Sequence, residues 1–261
     1  MTSDASFEIP TPVARPRMHW GRAWKSLRAL LASPDETDHA IDFVYAIGQA
    51  DFERVFQRFA ATPGGPELLA ERPDLAERLA DRAALERLPE GSLGRAYLAY
   101  LDENHFDARG LLAVQDRVRV RWEGERAAEP LDPLRAWFRD WSLLAHDLSH
   151  VVTGYGTDDV GEATLLVFTL AQNGGRAQWL LTLGACLDCW RTLGRGWPSY
   201  LARVWRRGRR AAWMPAVPWD DLLAVRLEAV RRVAGLAPPE RAHREGIWRA
   251  HLGGRSRMRT A

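Results

Sequence analysis

The sequence has little cysteine, almost no lysine and no long apolar run, and each shortage excludes something. Its two cysteines, Cys186 and Cys189, stand in the stretch "CLDC". Two thiols cannot build a four-cysteine zinc site. A redox pair belongs at a strand-to-helix turn, and this stretch has helical character, so the two are expected to be small buried residues. Lys25 is the only lysine, and the formal net charge is only +2. A balance so close to neutral excludes bulk attraction to nucleic acid. No window reaches about eighteen uninterrupted apolar residues, so no transmembrane helix is expected. The first residues, "MTSDASFEIPTPVARPR", lack an apolar h-region and carry Asp4 and Glu8. Neither a secretory signal nor a mitochondrial transit peptide is expected from them, and a bacterial cytoplasm is the simplest compartment.

What is present is a chain of 261 residues, 46% hydrophobic, long enough for one large domain with a sizeable core. Apolar residues recur at helical spacing along most of it, so the expected fold is all-α, a single multi-helix domain. Residues 1–20 are expected to form a flexible tail, 21–236 the domain and 237–261 a basic tail. Leu27, Leu30 and Leu31 make a stripe on a first helix, Pro34 and Asp35 break it, and Ile41, Val44, Tyr45 and Ile47 continue on a second. Asp51 reads as an N-cap before "FERVFQRFA", with Phe52, Val55, Phe56 and Phe59 on one face. "VQDRVRVRWEGERAAEP" alternates briefly and fits an extended segment or a helix. "LDPLRAWFRDWSLLAHDLSHVV" is the clearest helix, with Asp132 as cap, Pro133 in the first turn and Gly154 and Gly156 at its end. Glu162 is expected to open the next helix, and Asp220 to cap a late one ending at Gly235.

The chemistry-bearing stretch is "HDLSHVVTGYGTDDVGE", residues 146–162. On a helix His146 and His150 are i and i+4 and point the same way, with Asp147 on an adjoining face. The glycine-containing loop lets the chain double back, so Glu162 can face His146 and His150, which places a metal site between two consecutive helices. Two imidazoles and one or two carboxylates suit a divalent cation such as zinc, iron, manganese or cobalt. Burying such groups beside Leu143, Leu144, Val151, Val152, Leu165 and Leu166 without partners would cost on the order of several kcal/mol. A set of mutual hydrogen bonds is the bland alternative. The remaining histidines (His19, His39, His105, His243 and His251) are scattered and polar-flanked, as surface or loop residues are.

Three classes fit these residues: a metal-dependent lyase or oxygenase acting on an apolar substrate, a metallohydrolase of the zincin kind, and a lipid-binding or scaffolding protein with a structural ion. The zincin pattern would put Asp147 in the general-base position, one methylene short, and Glu162 close for a third ligand. A phosphohydrolase built on the His-Asp doublet would need distant ligands, for which His105 and Asp158 are weak candidates.

His-Asp-x-x-His followed after eleven residues by Glu resembles the signature of the ubiquinone (coenzyme Q) biosynthesis protein Coq-four family. "LASPDETDHAIDFVYAIG", "RLPEGSLGRAYLAYLDEN", "GYGTDDVGEATLLVFTLAQ" and "RRGRRAAWMPAVPWDDLL" resemble further stretches of it, over roughly residues 25–236. The resemblance implies an all-α fold and a divalent ion, zinc by family, on His146, Asp147, His150 and Glu162. It implies removal of the carboxyl group at ring carbon 1 of a polyprenylated intermediate derived from 4-hydroxybenzoate, leaving a hydroxyl there. It also implies an organising role toward other ubiquinone biosynthesis enzymes, a peripheral place on the inner membrane and a homodimer. If the new ring hydroxyl comes from dioxygen, a redox-active ion fits the reaction better than zinc. "WSLLA" and "ATLLVFTLA" are either groove walls for a prenyl chain or ordinary core. Arg206, Arg207, Arg209 and Arg210, between Trp205 and Trp213, are either a headgroup contact or a solvated helix end.

Overall fold

The computed structural model describes residues 11–12, 18–32, 37–125 and 131–237. Among them the fold is all-α, with fourteen α-helices, no strand, and a single isolated bridge between Ser92 and Arg226. In order these are α1 (Trp20–Ala32), α2 (Thr37–Ile47), α3 (Gln49–Ala60), α4 (Gly65–Glu71), α5 (Leu75–Ala80), α6 (Arg82–Arg87) and α7 (Leu93–Asn104). Then come α8 (Gly110–Gly124), α9 (Pro133–Thr153), α10 (Asp159–Asn173), α11 (Arg176–Leu193), α12 (Trp197–Arg210), α13 (Trp219–Leu222) and α14 (Leu227–Val233). The break expected at Pro34 and Asp35 and most of both expected tails lie outside the described residues. No described helix is long and apolar enough to cross a membrane.

Helix ends follow local chemistry. Asp132 accepts hydrogen bonds from the Leu134 and Arg135 amides while Pro133 fills the first turn, and Gly154 ends α9 at φ +76°. Four expectations need correction. Asp51 does not cap α3, which begins two residues earlier; its Oδ2 instead accepts the Arg176 amide at 2.6 Å, so it caps α11 from across the fold. Asp220 caps nothing: Pro218 precedes α13, and Asp220 pairs with Arg78 at 2.7 Å. Glu162 does not open its helix, because Asp158 caps α10 and Glu162 sits within the first turn. On α1 the buried positions are Ala23 and Ser26, whereas Leu27 and Leu30 face a cavity. The ambiguous alternating stretch is helix α8 as far as Gly124, which buries Gln115, Val118 and Trp122, and its last residues, 126–130, lie outside the described residues.

Two hydrophobic clusters hold the helices. The larger gathers Phe56, Phe59, Phe138, Trp141, Phe168 and Trp197 with their neighbours; the smaller joins Ala23, Phe43, Ala46, Ile47, Val118, Trp122 and Ala177. Each large side chain fully removed from water stabilises by about 2 kcal/mol. Charge pins α9 to α3 as well: buried Arg135 meets Glu53 through two bonds of 2.6 and 2.7 Å and Asp132 through one of 2.7 Å. α10 packs against both α11 and α12. A Cβ on Gly208 of α12 would stand 2.5 Å from the Phe168 carbonyl oxygen, so only glycine permits this approach.

Between the two clusters lies a cavity of about 710 Å³. Leu27, Ile41 and Tyr45 line one wall, and Phe52, Val55 and Phe138 another. At this volume it is a small-molecule-sized space rather than a packing defect.

Candidate metal centre

The last two turns of α9 and the first turn of α10 build the site. After Gly154 the chain reverses through Tyr155–Asp158, and the reversal is tight. A Cβ on Gly161 would stand 2.0 Å from the Gly156 carbonyl oxygen, so the absence of a side chain lets the loop rest on α10. This approach carries the first turn of α10 against the end of α9.

His150 Nε2 lies 3.2 Å from His146 Nε2 and 3.3 Å from Glu162 Oε1, and His146 Nε2 lies 3.7 Å from Glu162 Oε2. One ligand atom from each residue falls within 4.8 Å of the others. His150 Nδ1 lies 3.2 Å from the Tyr155 carbonyl oxygen. Donation of Nδ1–H to that oxygen fixes the tautomer and leaves the Nε2 lone pair facing Glu162 and His146. The Tyr100 ring stacks on the other side of His150, with centroids 5.9 Å apart. The side chain of His150 is 1% exposed and that of Glu162 41%. The site thus has a closed back and an open front, and the front is the cavity, whose wall includes His146 and Glu162.

The charges suit a cation. Burial alone lowers the His150 pKa, but the neighbouring Glu162 and Asp147 outweigh it and raise the value. Burial likewise raises that of Glu162, and His150 and His146 outweigh it, holding the carboxyl well below its ordinary range. Two nitrogens and a carboxylate oxygen converging from three side chains, open on one side, match the donor set of a catalytic rather than a closed structural divalent site. The same set accepts zinc, iron, manganese or cobalt.

Of the four motif residues, the structure brings together His146, His150 and Glu162. Asp147 lies outside this trio and does not line the cavity. Its pKa is raised, by burial above all, and its charge acts on Tyr97 and Tyr100 of α7. Asp158 is the α10 cap, and His105 ends α7 in the left-handed region.

The four arginines of α12 separate. Arg206, Arg209 and Arg210 are exposed. Arg206 bonds its own helix at the Ala202 oxygen, 3.2 Å away, and Arg209 reaches the Ala171 oxygen at 3.4 Å. Arg207 is half-buried. It donates to the carbonyls of Thr153 and Ala237, each at 3.0 Å, and lies 5.1 Å over the Tyr155 ring. It thereby braces the end of α9 and the residue that orients His150. Sequence reasoning missed Tyr155, Tyr100 and this role of Arg207, although Arg207 shares the helical phase of the buried residues Tyr200 and Val204. The stretches "WSLLA" and "ATLLVFTLA" divide between core and cavity. Trp141, Leu144, Leu165 and Phe168 are core, while Ser142, Leu143, Ala145, Leu166 and Thr169 line the cavity. Cys189 is buried and Cys186 half-buried within α11, and burial pushes both thiols up, to about 12 and about 11.

Comparison with known proteins gives one consistent relationship. The sequence model described as "Coenzyme Q (ubiquinone) biosynthesis protein Coq4" matches residues 16–127, which stops short of the histidine pair. The mouse (Mus musculus) protein "Ubiquinone biosynthesis protein COQ4 homolog, mitochondrial" is 28% identical over 191 residues, covering 71% of this chain and 65% of the relative. The human (Homo sapiens) homolog is 29% identical over 139 residues, 51% of this chain and 47% of the relative. The chain therefore matches less than two thirds of the length of these relatives. A crystal structure of a candidate ubiquinone biosynthesis protein from Nostoc punctiforme shares the fold. Its TM-score is 0.60 at 21% identity, over 85% of this chain and 100% of that one.

Proposed function

We propose, from its similarity to the Coq4 coenzyme Q (ubiquinone) biosynthesis proteins, that this chain is a member of that family and removes the carboxyl group from ring carbon 1 of a polyprenylated acid derived from 4-hydroxybenzoate. The observation that carries this reading is the opening of the His146–His150–Glu162 cluster onto a cavity with mainly apolar walls. A ligand with an anionic aromatic head and a long hydrocarbon tail matches both parts at once.

His146, His150 and Glu162 would hold a divalent ion. Bound there, it would supply a Lewis acid for a ring carboxylate or phenolic oxygen. The chain's own residues do the rest. Tyr155 fixes the orientation of His150. Leu143 and Leu166 border the cavity near the cluster and exclude water from the ring. Phe52, Val55, Ile41 and Leu27 would receive the tail. Replacing a ring carboxyl by hydroxyl releases carbon dioxide and oxidises the ring by two electrons, so dioxygen or another two-electron oxidant is a required co-reactant. That requirement favours iron or manganese over zinc.

The zincin reading is disfavoured because its general base would be Asp147, which does not line the cavity. A scaffold that holds prenyl lipids without turning them over remains the second reading, supported by the same cavity. Other ubiquinone biosynthesis enzymes, the bilayer surface and a second copy of the chain are the proposed partners. Lipid extracts of cells lacking the protein decide between the two readings. Accumulation of a prenylated ring that still carries its carboxyl group, unrelieved by Glu162→Gln, supports the enzyme. A ring already decarboxylated at carbon 1 assigns that step elsewhere and leaves the scaffold.

A further inference from the structure

Exposed aromatic and aliphatic side chains are concentrated on one part of the surface. Trp20 and Trp24 project from α1, and Trp179, Leu183, Leu187 and Trp190 from α11, each between 45% and 64% exposed. The α11 spacings of four, four and three residues place its four on one outward face. The two helices meet there, because Trp20, Trp179 and Leu180 line a common surface hollow. Burial of six large apolar groups is what a soluble surface ordinarily achieves, and this one does not.

The same two helices wall the cavity from the inside. Leu27 and Leu30 of α1 and Leu181 and Ala185 of α11 line it. Four cavity-lining residues are exposed: the apolar Val44 of α2 and Leu180 of α11, and the acids Asp159 of α10 and Asp188 of α11. Leu180 also lines the hollow with Trp20 and Trp179, so the apolar side of the mouth adjoins the aromatic face there.

We propose that the outer face of α1 and α11 docks onto an anionic lipid bilayer, so that a prenyl chain passes between Val44 and Leu180 without crossing water. This rests on the reading of the cavity as a prenyl-lipid site. Three observations favour a bilayer as the occupant. Four indoles on one face are the composition of a membrane interface, where an apolar ring and a polar N–H are both accommodated. The charge around them is net positive: Lys25 and Arg28 are exposed on α1, which carries no acid, and Arg54 and Arg176 line the hollow beside Trp20 and Trp179 against one acid, Asp51, while α11 adds one exposed acid, Asp188. Cations of this kind suit anionic headgroups. A second copy seated on this face would instead cover the mouth. The arginines of α12 lack such a setting, since they neither line the cavity nor adjoin a comparable apolar area.

The test is co-sedimentation of the full-length protein with phosphatidylcholine vesicles, with and without phosphatidylglycerol. Leu183→Asp with Leu187→Asp should weaken partitioning onto anionic vesicles at least about tenfold, and Trp24→Ser with Trp179→Ser should do the same should the aspartates impair folding. Arg206→Glu with Arg209→Glu should change it less than about twofold, as exposed charges remote from the contact do. Three results overturn the proposal: wild-type protein that ignores every vesicle, apolar-face variants that partition like the wild type, or variants that dissociate an oligomer while vesicle binding persists. Uptake of soluble geranyl-4-hydroxybenzoate separates this from the cavity reading. The face variants should take it up as the wild type does, whereas a wild-type protein that takes up none refutes the cavity reading itself.

Discussion

The carbonyl oxygen of Tyr155 stands 3.2 Å from Nδ1 of His150, five residues earlier in the chain. A backbone group at a loop's tip thus determines which nitrogen of a buried ring is left to bind a cation. The loop is held by its rest on Gly161, so Gly161→Ala should move Tyr155. We expect a loss of about 1–3 kcal/mol in stability from the overpacked contact and a fall in zinc affinity of about 10–100-fold. Thermal denaturation and calorimetric zinc titration measure the two.

Elemental analysis of untagged protein should find one divalent ion per chain. His150→Ala and Glu162→Gln should each lower metal affinity by more than about 100-fold, because they remove donors and not merely their supports. Asp147→Asn should cost far less, since Asp147 lies outside the trio. Equal losses for Asp147 and Glu162 would return Asp147 to the ligand set.

Metal-free protein should show an inverted pH response at this site. The raised His150 contributes stability that is fully present below the ordinary imidazole value and is lost as pH rises through its folded value. The depressed Glu162 contributes stability present above the ordinary carboxylate value and lost only as pH falls through its folded value. The pair therefore stabilises most between about pH 4.5 and 6.5. Metal uptake runs the other way, releasing about one proton and tightening as pH rises. Melting curves with and without metal at several pH values, set against Glu162→Gln, expose both trends.

Asp42 anchors the smaller cluster. It accepts hydrogen bonds from Trp122 Nε1 and Arg121 Nη2, both at 2.7 Å, and from Ser26. Burial raises its pKa, but these donors and Arg22 outweigh it and leave the value lowered. Asp42→Ala should cost about 3–5 kcal/mol, as removal of one partner from a buried charged set does. The wild-type contribution should persist above the ordinary aspartate value and fade as pH falls below it, which acid titration followed by denaturant melts would show.

Leu143→Trp, one turn before His146, should narrow the cavity near the cluster. Prenyl-lipid uptake should fall at least about tenfold while zinc affinity stays within about twofold. Loss of both together would mean that the larger ring had distorted α9.

Much of this architecture was legible in the residues themselves. His146 and His150 share a helix face by periodicity alone, and Asp132, Pro133 and Gly154 mark the ends of that helix. What could not be read was where a side chain finds its partner across the fold. Asp51 has every local quality of a cap for α3 and instead caps α11, because its partner amide is 125 residues away. Asp147 is one residue from His146 yet stands outside the converging trio, since a step of about 100° turns it onto an adjoining face of the helix. Arg207 sits among three exposed arginines, and only the buried phase of α12 distinguishes it. The cavity was hardest to anticipate, because Leu143 and Leu144 are the same residue type and only the assembled helices make one a wall and the other a core.

The separation of the hydrophobic interior into two clusters with an open space between them bears on how this molecule's stability can be defined at all. A guest lying along Ile41, Tyr45, Phe52 and Phe138 touches both clusters and so serves as interior that the chain does not encode. Any ligand bound only by the folded form raises the unfolding free energy logarithmically with its free concentration. Melting temperature then reports how full the cavity is as much as what the sequence is. Between empty and loaded protein, abundance in a cell becomes coupled to the supply of the guest.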